Sequence, residues 1–220
     1  MKTALMADDL TSEDIAQQLK CPYGELGEAL GAMMYDSNKQ MINTSIDALE
    51  LVSYQRVMEI GPAGGTHLNY IMSYGKAITY FGLETSKTMV SQAKKNNKKY
   101  IGARKALFMN YDGLKIPYVH SFFDRLITVN TIYFWENPIE FMNELFRVLK
   151  PQGVGVVTFV DANVMKKLNF VNPLFELYDA HRFKALVAQT GFILKLLKKH
   201  TERVKSKDGT MVNREYLVAV

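Results

Sequence analysis

From about residue 55 onward the chain alternates short apolar runs with helix-length amphipathic stretches, and that rhythm admits few folds. Apolar runs at Arg56–Ile60, Ala77–Leu83, Lys105–Met109, Asp124–Asn130 and Gly153–Val160 are bounded by turn residues and read as buried strands. Helices are predicted at Thr66–Ser73, from a Ser86 cap to about Lys99, and from Pro138 to Leu149, where Lys150-Pro151-Gln152-Gly153 stops the last of them. A further helix, His181–Thr190, ends at Gly191, which suits a left-handed terminal position. Phe192–Leu197 and Val212–Val220 then read as two strands joined through the turn Lys207-Asp208-Gly209.

Strands alternating with helices make a parallel sheet covered on both faces. No helix separates the last two runs, so the final strand is expected to be antiparallel. The predicted fold is a Rossmann-like, doubly wound α/β sheet of seven strands, mostly parallel. In such sheets a ligand sits at the carboxyl ends of the strands, where the strand order reverses.

The first 52 residues have a different character. Residues 1–10 read as a loose terminus, and Thr11-Ser12-Glu13-Asp14 as a cap opening a short helix to about Lys20. Cys21-Pro22-Tyr23-Gly24 breaks it, and Gly24, Gly27 and Gly31 mark the next stretch as a mobile, helix-rich segment outside the core. A second helix is predicted from Asn38 to about Leu51, with Met41, Ile42, Ile46, Leu49 and Val52 on one side. The organisation read from this is a helical lid or extension over 1–52 and a ligand-binding domain over 53–220.

Composition narrows the function classes. A single cysteine allows no internal disulfide and suits a reducing, cytoplasmic compartment. No apolar run approaches the roughly 18 residues that span a bilayer, and the N-terminus lacks the apolar core and cleavage site of a signal peptide. The net charge of +5 is concentrated in Lys94-Lys95-Asn96-Asn97-Lys98-Lys99 and around Lys195–His200. The first run suits a solvated helix end, with no interleaved aromatics to stack bases, so nucleic acid is not the expected partner.

Four stations carry the chemistry. At the end of the first strand, Gly61, Ala63 and Gly65 place small residues at alternate positions, two residues after Glu59 and around Pro62. Such residues let the backbone turn sharply and approach a ligand. A dinucleotide fingerprint would need glycine at the sixth position, where Thr66 stands. An acid at Glu59 would repel a pyrophosphate and suits a cationic ligand; S-adenosylmethionine, with an α-amino group, a sulfonium and no phosphate, meets that requirement. Glu84, at the end of the second strand and about 20 residues beyond the turn, is placed to accept from both hydroxyls of a ribose. Asp112, within Asn110-Tyr111-Asp112-Gly113, can accept from an adenine amino group, and an Asp-Gly turn is the plain alternative. Asn130 to Tyr133 are expected near the ligand, with Phe134 and Trp135 shared with the core.

With these stations in order, the chain resembles the class I S-adenosylmethionine-dependent methyltransferases, and is most similar to the small-molecule branch that includes the ubiquinone/menaquinone biosynthesis methyltransferases. The segments that carry the likeness are Val57–Gly65, Gly82-Leu83-Glu84-Thr85-Ser86, Asp112 with Ile116-Pro117-Tyr118, Ser121-Phe122-Phe123-Asp124, and Phe146-Arg147-Val148-Leu149-Lys150-Pro151-Gln152-Gly153. The resemblance implies that Glu59, Gly61, Pro62, Ala63 and Gly65 face the methionine part, Glu84 with Thr85 and Met89 the ribose side, Tyr111, Asp112 and Gly113 the adenine, and Asn130 and Thr131 the sulfonium region. The departures are Ala63 for the usual middle glycine and Tyr133-Phe134 where many relatives carry histidines.

The reaction this implies is in-line methyl transfer to a small molecule, a quinone precursor, lipid or other metabolite, leaving S-adenosylhomocysteine. No metal is expected. Tyr23, Tyr35 and Tyr133 are candidates for the acceptor pocket, and His67, His120 and His181 are conceivable bases without a distinguishing pattern. The apolar, glycine-spaced N-terminus favours an apolar acceptor, reached at a membrane surface. Oligomeric state is left open, a homo-oligomer included. The rival readings are a nucleic-acid or protein methyltransferase and a non-catalytic cofactor-binding protein of the same fold.

Overall fold

The computed structural model describes residues 10–205 and 211–220. Helix α1 (Ser12–Lys20) starts at a reciprocal cap: the Asp14 N–H donates to Thr11 Oγ1, and the Thr11 N–H donates back to the Asp14 carboxylate. Helix α2 (Gly24–Asp47) runs unbroken for 24 residues. The expectation of a glycine-broken segment followed by a separate helix from Asn38 is therefore corrected.

Gly27 and Gly31 lower helix propensity by about 1 kcal/mol each relative to alanine, but both are buried where only hydrogen fits. A Cβ on Gly27 would lie 2.7 Å from the Pro22 backbone, and one on Gly31 2.7 Å from Met89 Sδ. Close packing, not a break, is what these glycines encode. The second half of α2 is core: Met41, Ile42 and Ile46 are buried, followed by Leu49, and Ser45 Oγ donates 2.7 Å to Thr158 Oγ1 in the sheet.

The strands are β1 (Arg56–Ile60), β2 (Thr79–Glu84), β3 (Ala106–Asn110), β4 (Phe123–Val129), β5 (Leu149–Val160), β6 (Leu197–Lys205) and β7 (Met211–Ala219), in the order β3-β2-β1-β4-β5-β7-β6. Strands β1 to β5 pair in parallel, and β7 is antiparallel to both neighbours. The order reverses between β1 and β4, so their carboxyl ends diverge into a crevice. Helices α3 (Leu68–Ser73), α4 (Lys87–Asn96), α5 (Lys98–Gly102), α6 (Pro138–Val148), α7 (Ala162–Met165) and α8 (Ala180–Val187) supply the connections. Two predicted starts are set by their caps: Ser86 Oγ accepts from the Met89 N–H, and Asn137 Oδ1 from the Glu140 N–H with Pro138 following.

Four local expectations change. The helix predicted to Lys99 divides at Asn97, whose amide donates to the carbonyls of Gly65 and Ala93; Lys94, Lys95, Lys98 and Lys99 are nonetheless exposed. Strand β5 begins at Leu149 and takes in the predicted stop, with its pairing to β4 shifting between Phe123 and Arg125. Gly191 is not left-handed; a Cβ there would meet the Phe146 ring at 2.8 Å. Strand β6 starts at Leu197; just before it, Lys195 and Leu196 bond to the last residue, the Lys195 and Leu196 N–H groups donating to the Val220 carbonyl. The predicted Lys207-Asp208-Gly209 turn lies outside the described residues. Among those described, no helix is long and apolar enough to cross a membrane.

Candidate active site

The crevice at the ends of β1 and β4 holds a cavity of about 370 Å³, walled by the turn after β1, the ends of β2 and β4, the loop after β3, and the α1–α2 corner. The turn explains its own sequence. Gly61, Ala63 and Gly65 all adopt positive φ, at 71°, 47° and 59°, so every second residue is left-handed and must be small. Space adds to conformation: a Cβ on Gly61 would lie 2.5 Å from Thr131 Cγ2, and one on Gly65 2.9 Å from the Phe108 ring. Ala63 is the one position of the three where a methyl is tolerated.

Glu84 reaches from the end of β2 to this turn. Its Oε2 accepts from the Ala63 N–H at 3.0 Å and its Oε1 from the Ser86 N–H at 2.9 Å. The side chain is only 6% exposed. Burial raises the Glu84 carboxyl above its usual range, opposed by the N–H donors of Ser86, Ala63 and Thr85. Each oxygen keeps further acceptor capacity toward the cavity. In the loop after β3, Asp112 Oδ1 accepts from the Leu114 and Lys115 N–H groups at 2.8 and 2.9 Å, and the Lys115 and Leu114 donors hold its carboxyl below its ordinary value.

Glu59 is 2% exposed. Its Oε2 bonds His67 Nε2 at 2.7 Å and accepts from the Tyr80 hydroxyl at 2.5 Å. At the end of β4, Asn130 takes a positive φ of 58°. Its Oδ1 accepts from the Tyr133 hydroxyl at 2.9 Å, and that hydroxyl in turn accepts from the Val160 N–H at 2.6 Å. Thr131 Oγ1 lies 2.5 Å from Thr128 Oγ1 and accepts from the Trp135 indole N–H.

Of the residues singled out in the sequence, the cavity wall brings together Glu59, Gly61, Pro62, Ala63, Gly65, Glu84, Thr85, Tyr111, Asp112, Gly113, Asn130, Thr131, Tyr35 and His67. Met89 stands behind the wall, its sulfur against Gly31. Tyr133 is buried and reaches the site only through Asn130, while Tyr23 is 63% exposed and outside the cavity. His120 and His181 are exposed elsewhere. A short 3₁₀ turn, Ile132–Phe134, changes part of the expectation: Ile132 and Tyr133 go to the core, while Phe134 and Trp135, shared with the core as expected, also line the cavity. Leu19, Lys20, Cys21 and Pro22 also line it, and Ser86 Oγ bonds the Pro22 carbonyl. Their sequence reads only as a helix break, so nothing in it announces a ligand wall.

These residues fit a nucleoside carrying an aminoacyl cation. The left-handed turn leaves backbone where side chains would otherwise fill space, Glu84 presents a carboxylate to a sugar, and Glu59 puts negative charge beside the turn where a pyrophosphate would be repelled.

Comparisons with known proteins agree. Residues 58–157 match the methyltransferase domain family. The uncharacterized methyltransferase YdaC of Bacillus subtilis is 22% identical over 164 residues, covering 72% of this chain and 88% of YdaC. Among solved structures, an S-adenosylmethionine-dependent methyltransferase from Aquifex aeolicus superposes with a TM-score of 0.60 at 18% identity, over 87% of this chain and 98% of that one. A chain of the Haloferax volcanii complex between the Trm112 methyltransferase activator and a methyltransferase gives 0.71 at 14% identity, over 96% and 99%. These two likenesses are of fold. The domain match over residues 58–157, the fold and the cavity together support a class I S-adenosylmethionine-dependent methyltransferase. The comparisons support methyl transfer from that cofactor, and the resemblance read from the sequence agrees with them at this level.

Proposed function

We propose that the chain methylates a small-molecule acceptor by direct in-line displacement, with the cofactor held along the Gly61–Gly65 turn, Glu84 on its ribose and Asp112 on its adenine. The observation that carries this reading is the roof over the cavity. The end of α1 and α2 bring Leu19, Met34, Tyr35 and Ile42 to the wall of the crevice, which Phe134 and Trp135 also line. The space is in the size range of small-molecule sites, and its roof is apolar and aromatic, which suits a quinone precursor, a lipid or a similar metabolite better than a nucleic acid.

The bound cofactor supplies a methyl group already made electrophilic by its sulfonium. The protein's residues then orient and desolvate. The left-handed turn brings backbone N–H groups to the ligand, Thr131 and Asn130 wall the reacting end, and Tyr35 with Phe134 excludes water. Residues 1–52 act as the lid, with α2 anchored in the core by its second half while its first half admits substrate. A cytoplasmic enzyme working on an apolar acceptor at a membrane surface is consistent with the single cysteine and the roof.

The test is release of S-adenosylhomocysteine with a panel of quinols, lipid amines, other metabolites, tRNA and protein, with and without a Trm112-type activator. Turnover confined to a small molecule supports the proposal. Turnover only on RNA with a steep salt dependence, or cofactor binding with no turnover on any acceptor, contradicts it.

A further inference from the structure

One oxygen of the Glu59 carboxylate is held within the protein. This Oε2 is engaged by His67 Nε2 at 2.7 Å and the Tyr80 hydroxyl at 2.5 Å. Tyr80 is fully buried, so it holds Glu59 from the core side, and both Glu59 and His67 line the cavity. His67 is itself 4% exposed, yet it lines the cavity, with its ring stacked on Tyr35 at 6.4 Å between centroids and 20° between planes.

The second ring nitrogen, Nδ1, has no hydrogen-bond partner among the described residues, whereas every buried side-chain nitrogen or oxygen among them has one. Nδ1 is therefore open to the cavity. In the tautomer whose Nε2–H donates to the carboxylate, Nδ1 keeps its lone pair, so this nitrogen is an acceptor waiting for a donor. Among the described residues no lysine or arginine bonds to Glu59, His67 or Tyr80. The complement of this cluster is a small cation that can donate a hydrogen bond.

We propose that His67 Nδ1 accepts a hydrogen bond from the α-ammonium group of the cofactor's methionine part, with Glu59 and Tyr80 as positioning residues that fix the imidazole and supply the balancing charge. The inference rests on the cofactor placement proposed above and adds to it: the acid two residues before the turn orients a histidine toward the ligand through its Oε2.

Calorimetric binding of three ligands separates the possibilities: S-adenosylhomocysteine, its decarboxylated amine analogue, and 5′-methylthioadenosine, which lacks the whole aminoacyl end. His67→Phe is expected to weaken the first two roughly 10- to 100-fold, the loss expected for one charge-assisted hydrogen bond, and to leave methylthioadenosine within about twofold as a single-contact effect requires. Retained methylthioadenosine binding shows that the variant is folded at the site. Glu59→Gln, which keeps an acceptor for Tyr80 but removes the charge, is expected to weaken the same two ligands and spare the third. Equal loss for methylthioadenosine would make His67 a structural residue and overturn the inference. So would loss for S-adenosylhomocysteine with the amine analogue spared, which would assign the contact to the carboxylate. Failure of the wild-type protein to bind any of the three would instead overturn the cofactor placement itself.

Discussion

Replacing Glu84 with alanine separates two jobs that its carboxylate can do. Within the chain it staples the Ala63 and Ser86 N–H groups at 3.0 and 2.9 Å; toward the ligand it is placed to accept from both ribose hydroxyls. Hydrogen bonds to a charged group contribute about 1.5–3 kcal/mol each. Two of them, taken at the lower bound because water in the opened space recovers part of the loss, give about 3 kcal/mol, or roughly 150-fold in Kd. The assay is calorimetric titration with S-adenosylhomocysteine and its 2′-deoxy analogue, on wild type and Glu84→Ala. In the wild type, removing the 2′-hydroxyl should weaken binding about tenfold, the share of one such bond. In the variant it should cost almost nothing, because the partner is already gone. If Glu84→Ala lowers thermal stability but leaves affinity within twofold, or if the 2′-hydroxyl matters equally in both proteins, the carboxylate is a loop staple only and the ribose assignment is wrong.

The pH dependence of the same titration has a definite sign. Burial raises the Glu84 carboxyl despite its N–H donors, and ribose hydroxyls favour the ionised form; affinity should be full well above that raised pKa, fall as the pH descends through it, and begin falling above the ordinary glutamate value of about 4.3. The free fold responds oppositely at this one group, since a raised acid pKa means that protonation favours the native state; a pH-independent affinity over this range contradicts the assignment. Gly65→Ala should lower stability by about 2–3 kcal/mol, combining left-handed strain with a contact 2.9 Å from the Phe108 ring. Ala63→Gly should be neutral or gain up to about 1 kcal/mol by relieving strain at φ 47°; paired denaturant melts check both, and equal behaviour at the two positions would refute the spacing argument. Arg214→Ala should cost about 3 kcal/mol, because the Glu202 side chain, 1% exposed, loses its cation and α2 loses its ties at Ser37 and Asn38. A melt within 0.5 kcal/mol of wild type would show that pair to be dispensable.

The central sheet was legible because its strands are buried on both faces and stand out as apolar runs between turn residues. The Gly61–Gly65 turn was legible because left-handed backbone restricts side-chain size at each alternate position. Elsewhere the determining contact was distant in sequence. Gly27 and Gly31 look like breaks until Pro22 and Met89 are placed against them, and Gly191 looks like a helix terminator until Phe146 fills the space. The exchange of Tyr133 for Phe134 at the cavity wall turns on one 3₁₀ turn, which leaves no periodic signal in three residues. The start of β6 is displaced from the apolar run Phe192–Leu197 to its end, since only Lys195 and Leu196 reach Val220 and the ladder with β7 begins at Leu197. The Leu19–Pro22 wall depends on where α1 docks, which a helix-break motif does not encode.

A crystal structure of the complex with S-adenosylhomocysteine tests the central claim most directly. The account predicts the ribose hydroxyls on Glu84, the aminoacyl end along Gly61–Gly65 with its amine at His67, and the sulfur facing Thr131. A nucleoside bound elsewhere on the molecule, or reversed so that adenine lies at Glu59, would contradict it.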